Sequence, residues 1–142
     1  MACEHFLDTN ILVYPFDNRD PRKQSLALAA VKAARAGGQG CISHQVVQEF
    51  LNVVTRKTSV AVDTAGVASH LDGALLPLMK VVPSRALFQA ALAVQTRWQF
   101  GFCDSLIVAA AQEAGCQRLL TEGLQHGQVI DGLRIENPFL VA

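Results

Sequence analysis

The sequence predicts one α/β domain, a three-layer α/β/α sandwich around a mostly parallel sheet of roughly four to five strands. Three observations lead there. Short apolar segments alternate along the chain with stretches of helical periodicity roughly 10 to 16 residues long, a pattern that implies right-handed crossovers onto a parallel sheet. The length, 142 residues, leaves room for one core over positions 1–142 and none for a second. Finally, 51% of positions are hydrophobic and 17% charged, with 12 Lys+Arg balancing 12 Asp+Glu. That balance excludes a disordered polymer and a basic nucleic-acid packing protein. It does not exclude a nuclease, whose central carboxylates offset cations on its rim.

The elements follow in order. His5-Phe6-Leu7 is a short strand ending at Asp8, and the apolar run Ile11-Leu12-Val13-Tyr14 comes directly after it, stopped by Pro15. Asp20-Pro21 supplies a cap and a first-turn proline for an Ala-rich helix that Gly37-Gly38 ends near Ala36. Cys41-Ile42 is the second strand, and Ser43 caps a helix bearing Val46, Val47, Phe50, Leu51 and Val54 at helical spacing. Asp63 or Thr64 opens a helix through Leu76, closed near Pro77, and Lys80-Val81-Val82 forms the third strand. Ser84 caps a helix from about Arg85 to Gln99. A further helix begins at Asp104 and runs to Gly115; it is apolar on nearly every side and therefore buried. Arg118 to Thr121 is the fourth strand, and Leu133-Arg134-Ile135 the fifth, terminated by Asn137-Pro138.

The longest cleanly apolar stretch, Leu106 to Ala111, falls far short of the about 18 residues a membrane span needs. The N-terminal residues lack the basic and apolar regions of a signal peptide, so a cytoplasmic protein is expected. Cys3, Cys41, Cys103 and Cys116 show no Cys-x-x-Cys spacing, which gives no local support for a thiolate metal site and points to reduced, mostly buried thiols.

Function in such sheets gathers at the carboxyl ends of the strands. Asp8-Thr9-Asn10 follows the first strand, Ser43 to Glu49 the second, Thr121-Glu122 the fourth, and Asp104 opens the buried helix. Taken singly, Asp8 reads as a turn or cap residue and Asp104 as a helix cap. Glu49 falls about 130° from the centre of its helix's apolar stripe, the place of a solvated residue. Together, three carboxylates from segments 41 and 55 residues apart (49 minus 8, 104 minus 49) converge on one edge. Clustered carboxylates repel one another unless a cation resolves the repulsion, and Mg²⁺, with its oxygen preference and retained waters, suits phosphodiester hydrolysis.

At these residues the sequence resembles the PIN-domain family, and in particular the VapC-type ribonuclease toxins of toxin-antitoxin pairs. The supporting segments are Phe6 to Tyr14, Ile42 to Phe50, Phe102 to Ala111, Leu124 to Gln128 and Ile135 to Phe139. The resemblance implies an endoribonuclease dependent on Mg²⁺ or Mn²⁺, cleaving RNA to a 5′-phosphate and a 3′-hydroxyl, usually a homodimer neutralised by an antitoxin protein. It places Asp8, Glu49 and Asp104 as metal-binding, catalytic acids, with Asn10, Ser43 and Thr121 as assisting polar residues.

One position departs from the family pattern. Where an aspartate commonly stands two residues after the Thr that ends the fourth strand, this chain has Gly123. Glu122 could substitute only with a local kink, because strand alternation sends it to the side opposite Thr121. Attenuated activity is the expectation, and two other readings remain open. One is a degenerate PIN domain that keeps its antitoxin and dimer surfaces but hydrolyses little. The other is a phosphatase with Asp8 as nucleophile, which lacks the second aspartate of that motif.

Overall fold

The computed structural model describes residues 3–56 and 63–140. Six strands build its sheet: β1 (His5–Leu7), β2 (Gly40–Ser43), β3 (Met79–Val81), β4 (Arg118–Leu120), β5 (Val129–Ile130) and β6 (Leu133–Glu136). Their order is β3-β2-β1-β4-β6-β5. All neighbours are parallel except β5 and β6. The register aligns Phe6 with Cys41 on one side and with Leu119 on the other, and Leu119 in turn with Ile135. From β1 the chain works outward through β2 to β3, then returns to add β4 on the other flank. The crevice at the carboxyl ends of β1 and β4 is therefore a topological switch point, where α/β sheets place their ligands.

The helices are α1 (Thr9–Val13), α2 (Pro21–Ala36), α3 (His44–Val54), α4 (Thr64–His70), α5 (Leu76–Leu78), α6 (Arg85–Trp98) and α7 (Phe102–Glu113). The expected caps are in place: Asp20 accepts from the Lys23 N–H, Ser43 from Val46, Asp63 from Gly66 and Ser84 from Leu87. Helix α1 packs on both α2 and α3, and α6 packs on α7. Phe6, Ile42, Leu119 and Ile135 from the sheet, Phe50 from α3 and Val108 from α7 are almost wholly buried. Each such side chain contributes about 1.5–3 kcal/mol on leaving water. Among the described residues no helix is long and apolar enough to cross a membrane.

Several expectations are corrected. The run Ile11 to Tyr14 belongs to α1 and a following 3₁₀ turn, Tyr14–Phe16, which accommodates Pro15 in its first turn. The helix expected from position 63 or 64 to Leu76 is broken by a π-turn, Leu71–Leu75, ahead of the Leu76-Pro77-Leu78 turn of α5. The sheet has six strands rather than four or five, because Val129–Ile130 pairs antiparallel with β6 across an Asp131-Gly132 turn. Both turn residues have positive φ, 48° and 88°, the backbone of a tight hairpin. Helix α7 starts at Phe102 with Gly101 at its cap position, so Asp104 lies within the first turn and caps nothing. The Ser105 N–H and hydroxyl both donate to the Gly101 carbonyl at 2.9 Å. Three of the cysteines, far apart in sequence, meet at the amino end of the sheet. Cys3 and Cys116 form a disulfide there, Cys41 packs against them, and Cys103 is exposed elsewhere.

The approach of α2 to β2 depends on one glycine. A Cβ at Gly40 would lie 2.7 Å from the Ala34 Cβ and 3.0 Å from the Ala34 carbonyl oxygen, so helix and strand fit only without it. Gly40→Ala is expected to destabilise the protein by about 1–3 kcal/mol in urea unfolding, the usual cost of overpacking. Adding Ala34→Gly removes the nearest of these contacts and should recover part of that loss; equal stability of Gly40→Ala and wild type would show that the layers are not this tightly seated.

Candidate active site

Asp8 leaves β1 at the switch point and is fixed on all sides. Its N–H donates to the Leu120 carbonyl at 3.0 Å, extending the β1–β4 ladder by one bond. Its Oδ1 accepts from the Thr9 N–H at 2.7 Å, capping α1, and its Oδ2 accepts from the Thr121 hydroxyl at 2.7 Å. Thr121, wholly buried, accepts in turn from the Gly123 N–H at 3.0 Å. The capping and the functional readings of Asp8 are thus compatible, since the bonds that cap α1 also aim the carboxylate.

The crevice opens into a cavity of about 400 Å³ whose lining includes Asp8, Asn10, Glu49, Asp104, Glu122 and Gly123. Glu49 arrives from the second turn of α3 and Asp104 from the first turn of α7. The two helices are tied where the Gln45 amide donates to the Cys103 carbonyl at 3.1 Å. Glu49 Oε1 and Asn10 Oδ1 are buried and have no hydrogen-bond partner among the described residues. All three acids are held above the ordinary carboxylate range. For Asp8 burial is the main cause, opposed by its bonds to Thr121 and Thr9 and reinforced by the charge of Asp104. For Glu49 burial again leads, followed by repulsion from Asp8 and a smaller push from Asp104, while Gln45 pulls the other way. For Asp104 the cause is burial.

Asp8, Asn10, Glu49 and Asp104 are brought together, and Thr121 stands directly behind Asp8. Ser43 is not among the residues lining this cavity: its hydroxyl accepts from Val46 as the cap of α3, and it lines a separate, largely apolar cavity between α3 and α6. The kink that Glu122 would need is present. The strand ends at Leu120 and the chain bends from Glu122 to Leu124, so alternation no longer applies and both Glu122 and Gly123 line the cavity. Glu122 is nevertheless occupied. It pairs with Lys23 at 2.7 Å and accepts a very short hydrogen bond from the Tyr14 hydroxyl. Sequence reasoning left this trio out of the site, and no motif spacing joins positions 14, 23 and 122. Arg19 pairs with Asp17 at 2.6 Å, and Arg22 donates to the Phe139 carbonyl.

The donor set is all oxygen, anionic, and short of hydrogen-bond partners at Glu49 and Asn10, which fits a hard divalent cation. Mg²⁺ commonly keeps several of its waters, so such an ion would reach some of these acids through water.

The profile of the PIN domain family matches residues 5–129. The chain belongs to the PIN domain family. No curated protein sequence matches it significantly. Among solved structures, this PIN domain is similar to a toxin-antitoxin complex from Klebsiella pneumoniae, with a TM-score of 0.69 and 20% identity over 95% of this chain and 98% of that one. The DNA-bound VapBC of Salmonella typhimurium gives 0.63 and 16% over 96% and 98%. The Mycobacterium tuberculosis toxin VapC20, described as cleaving the sarcin-ricin loop, gives 0.59 and 20% over 82% and 87%. At these identities the likeness is one of fold.

The raised acids make the metal-free PIN domain pH-sensitive in a definite direction. Between the ordinary carboxylate range and the raised native values, the folded state holds more protons than the unfolded chain. These groups therefore favour folding most in acid, and that contribution falls as the pH rises through the window. Glu49→Gln removes one repelling charge and is expected to raise stability at pH 7 in chelator by about 1 kcal/mol, with a smaller fall between acid and neutral pH. A variant less stable than wild type at pH 7 would show that the carboxylates do not repel.

Proposed function

We propose that this PIN domain is a metal-dependent endoribonuclease, the toxin of a cytoplasmic toxin-antitoxin pair, whose activity Gly123 attenuates. The observation that carries the reading is the convergence of Asp8, Glu49 and Asp104, from three separate segments, on one cavity in which each is held above its ordinary pKa. The related structures support the biological setting, since one is a toxin that cleaves the sarcin-ricin loop, one a toxin-antitoxin complex and one a DNA-bound VapBC. By the same analogy the partners are an RNA substrate, an antitoxin protein and a second copy of the chain.

Asp8, Glu49 and Asp104 would hold Mg²⁺ or Mn²⁺, which when bound supplies an ionised water and charge stabilisation at a phosphodiester. The chain's own residues do the positioning. Thr121 and the Thr9 N–H fix both oxygens of Asp8, so this carboxylate does not reorganise when substrate arrives. Asn10 Oδ1 and Glu49 Oε1, buried and without partners among the described residues, are acceptors available to a cation's water shell or a ribose hydroxyl. Glu122 is neutralised by Lys23 and Tyr14, so it does not stand in for the aspartate absent at 123. That absence is the basis of the attenuation.

Cleavage of a long structured RNA with Mn²⁺ tests the reading. Metal-dependent cutting is expected, lost with chelator and lowered on the order of a hundredfold or more by Asp8→Asn, the scale of a single preorganised electrostatic group. Gly123→Asp is expected to raise the rate, because a Cβ there meets only Thr121 Oγ1, at an ordinary 3.6 Å. Absence of cutting by both wild type and Gly123→Asp at every metal concentration would overturn the enzyme reading in favour of a PIN domain that binds its partners without hydrolysis.

A further inference from the structure

The end of the sheet opposite the acidic cavity carries a second cluster of potential ligands. Cys3 lies two residues before β1, Cys116 two residues before β4, and Cys41 is the second residue of β2, so three adjacent central strands deliver them to one point. Their sulfurs all fall within 4.8 Å of one another, with Cys41 Sγ 2.6 Å from Cys3 Sγ and 3.3 Å from Cys116 Sγ. The backbone around them is pinned. The Glu4 and His5 N–H groups donate to the Gln39 carbonyl, those of Gln117 and Arg118 donate to the Glu4 carbonyl, and that of Cys116 donates to Ala111. Exposure is 8% at Cys3, 0% at Cys41 and 8% at Cys116, whereas the fourth cysteine, Cys103, is exposed beside the acidic cavity.

A single buried cysteine is an ordinary small hydrophobe. Three that converge across sequence separations of 38, 75 and 113 residues, sulfur against sulfur at the amino ends of three paired strands, call for something that uses the sulfurs jointly. Their chemistry selects it. Thiolates prefer soft or borderline cations over Mg²⁺, and zinc is held by just such sets of cysteines. Three thiolates around a divalent cation leave one net negative charge; burial pushes the Cys41 thiol up to about 12, and the charge of Lys80 on β3 opposes that rise. A monovalent ion would leave two such charges in a buried place, a costlier arrangement.

We propose that Cys3, Cys41 and Cys116, once the Cys3–Cys116 bond is reduced, form a site for one thiophilic divalent cation of the zinc class. An external dithiol supplies two electrons and two protons, opening the Cys3–Cys116 bond to two thiols while itself closing to a disulfide. The cation then displaces the protons of the three thiols to solvent, and its fourth position falls to water or a small exogenous ligand. The disulfide is the metal-free, oxidised form of this site. Because the sulfurs and the carboxylates sit at opposite ends of the strands, the site is independent of the proposed nuclease chemistry, and loss of RNA cleavage would not bear on it.

Cobalt is the probe, because cobalt bound by thiolate absorbs in the near ultraviolet through sulfur-to-metal charge transfer and cobalt bound by carboxylate does not. The full chain, reduced with a phosphine under anaerobic conditions and freed of chelator, is titrated with Co²⁺ alone. The expected result is a charge-transfer band saturating at one equivalent, bleached by Zn²⁺, absent from the oxidised protein and unchanged in Cys103→Ser. In Cys41→Ser the band should lose about a third of its intensity, or the affinity should fall at least about tenfold, the loss typical even of outer-shell partners. Cys116→Ser gives the same readout at a less deeply buried position. No band in the reduced wild-type chain at stoichiometric cobalt would overturn the proposal, as would a band that Cys41→Ser and Cys116→Ser leave intact or that Cys103→Ser removes.

Discussion

Asp8 is held at both of its carboxylate oxygens and at its amide, and the amide bond to the Leu120 carbonyl is the last rung of the β1–β4 ladder. The pairing of these two strands is the constraint on which the rest depends. It exists because β4 returns beside β1 instead of continuing outward past β3, and the same return opens the crevice that Asp8 faces. Thr121 lends its hydroxyl to Asp8 only because its own strand ends one residue earlier, at Leu120. The site is thus an outgrowth of strand order, with the acids on α3 and α7 brought to it by helices that start at the same edge.

Much of this was legible in the sequence, and the unread parts have particular causes. The caps at Asp20, Ser43, Asp63 and Ser84 were readable because a short polar side chain before an apolar period has few other uses. Helix α1 was not, since its short apolar run, Ile11 to Val13, suits strand and helix alike. The hairpin of β5 and β6 was written in Asp131-Gly132, a dipeptide suited to two consecutive positive φ angles, and was passed over because β5 is only two residues long. The start of α7 was read two residues late, at Asp104, because that residue resembles a cap. In fact Gly101 occupies the cap position, and this shift is what leaves the Asp104 carboxylate at the cavity.

The failures at the cysteines and at Glu122 share a different cause. Motif reading relies on short spacings, and neither the sulfur cluster nor the Tyr14, Lys23 and Glu122 trio has one. Both arise from the lateral neighbourhood of strands and helices, which only the folded register defines. Alternation along a strand likewise gives no guidance past the last paired residue, where Glu122 turns back toward Lys23. The result is a sheet whose two ends differ in chemical character, oxygen donors at one and sulfur donors at the other, with the same central strands supplying both.

The strands at the two margins of the sheet are short: three residues in β3, and two in β5, the latter folded back on β6 by its tight turn. An unpaired strand edge is an invitation to another chain, and its strength grows with the number of free backbone groups it presents in a row. Here neither margin offers enough of them to template a neighbour. Whatever this protein assembles with must be recognised through side chains on its helical faces or in its clefts, and uncontrolled sheet-to-sheet aggregation is suppressed by the same economy of backbone.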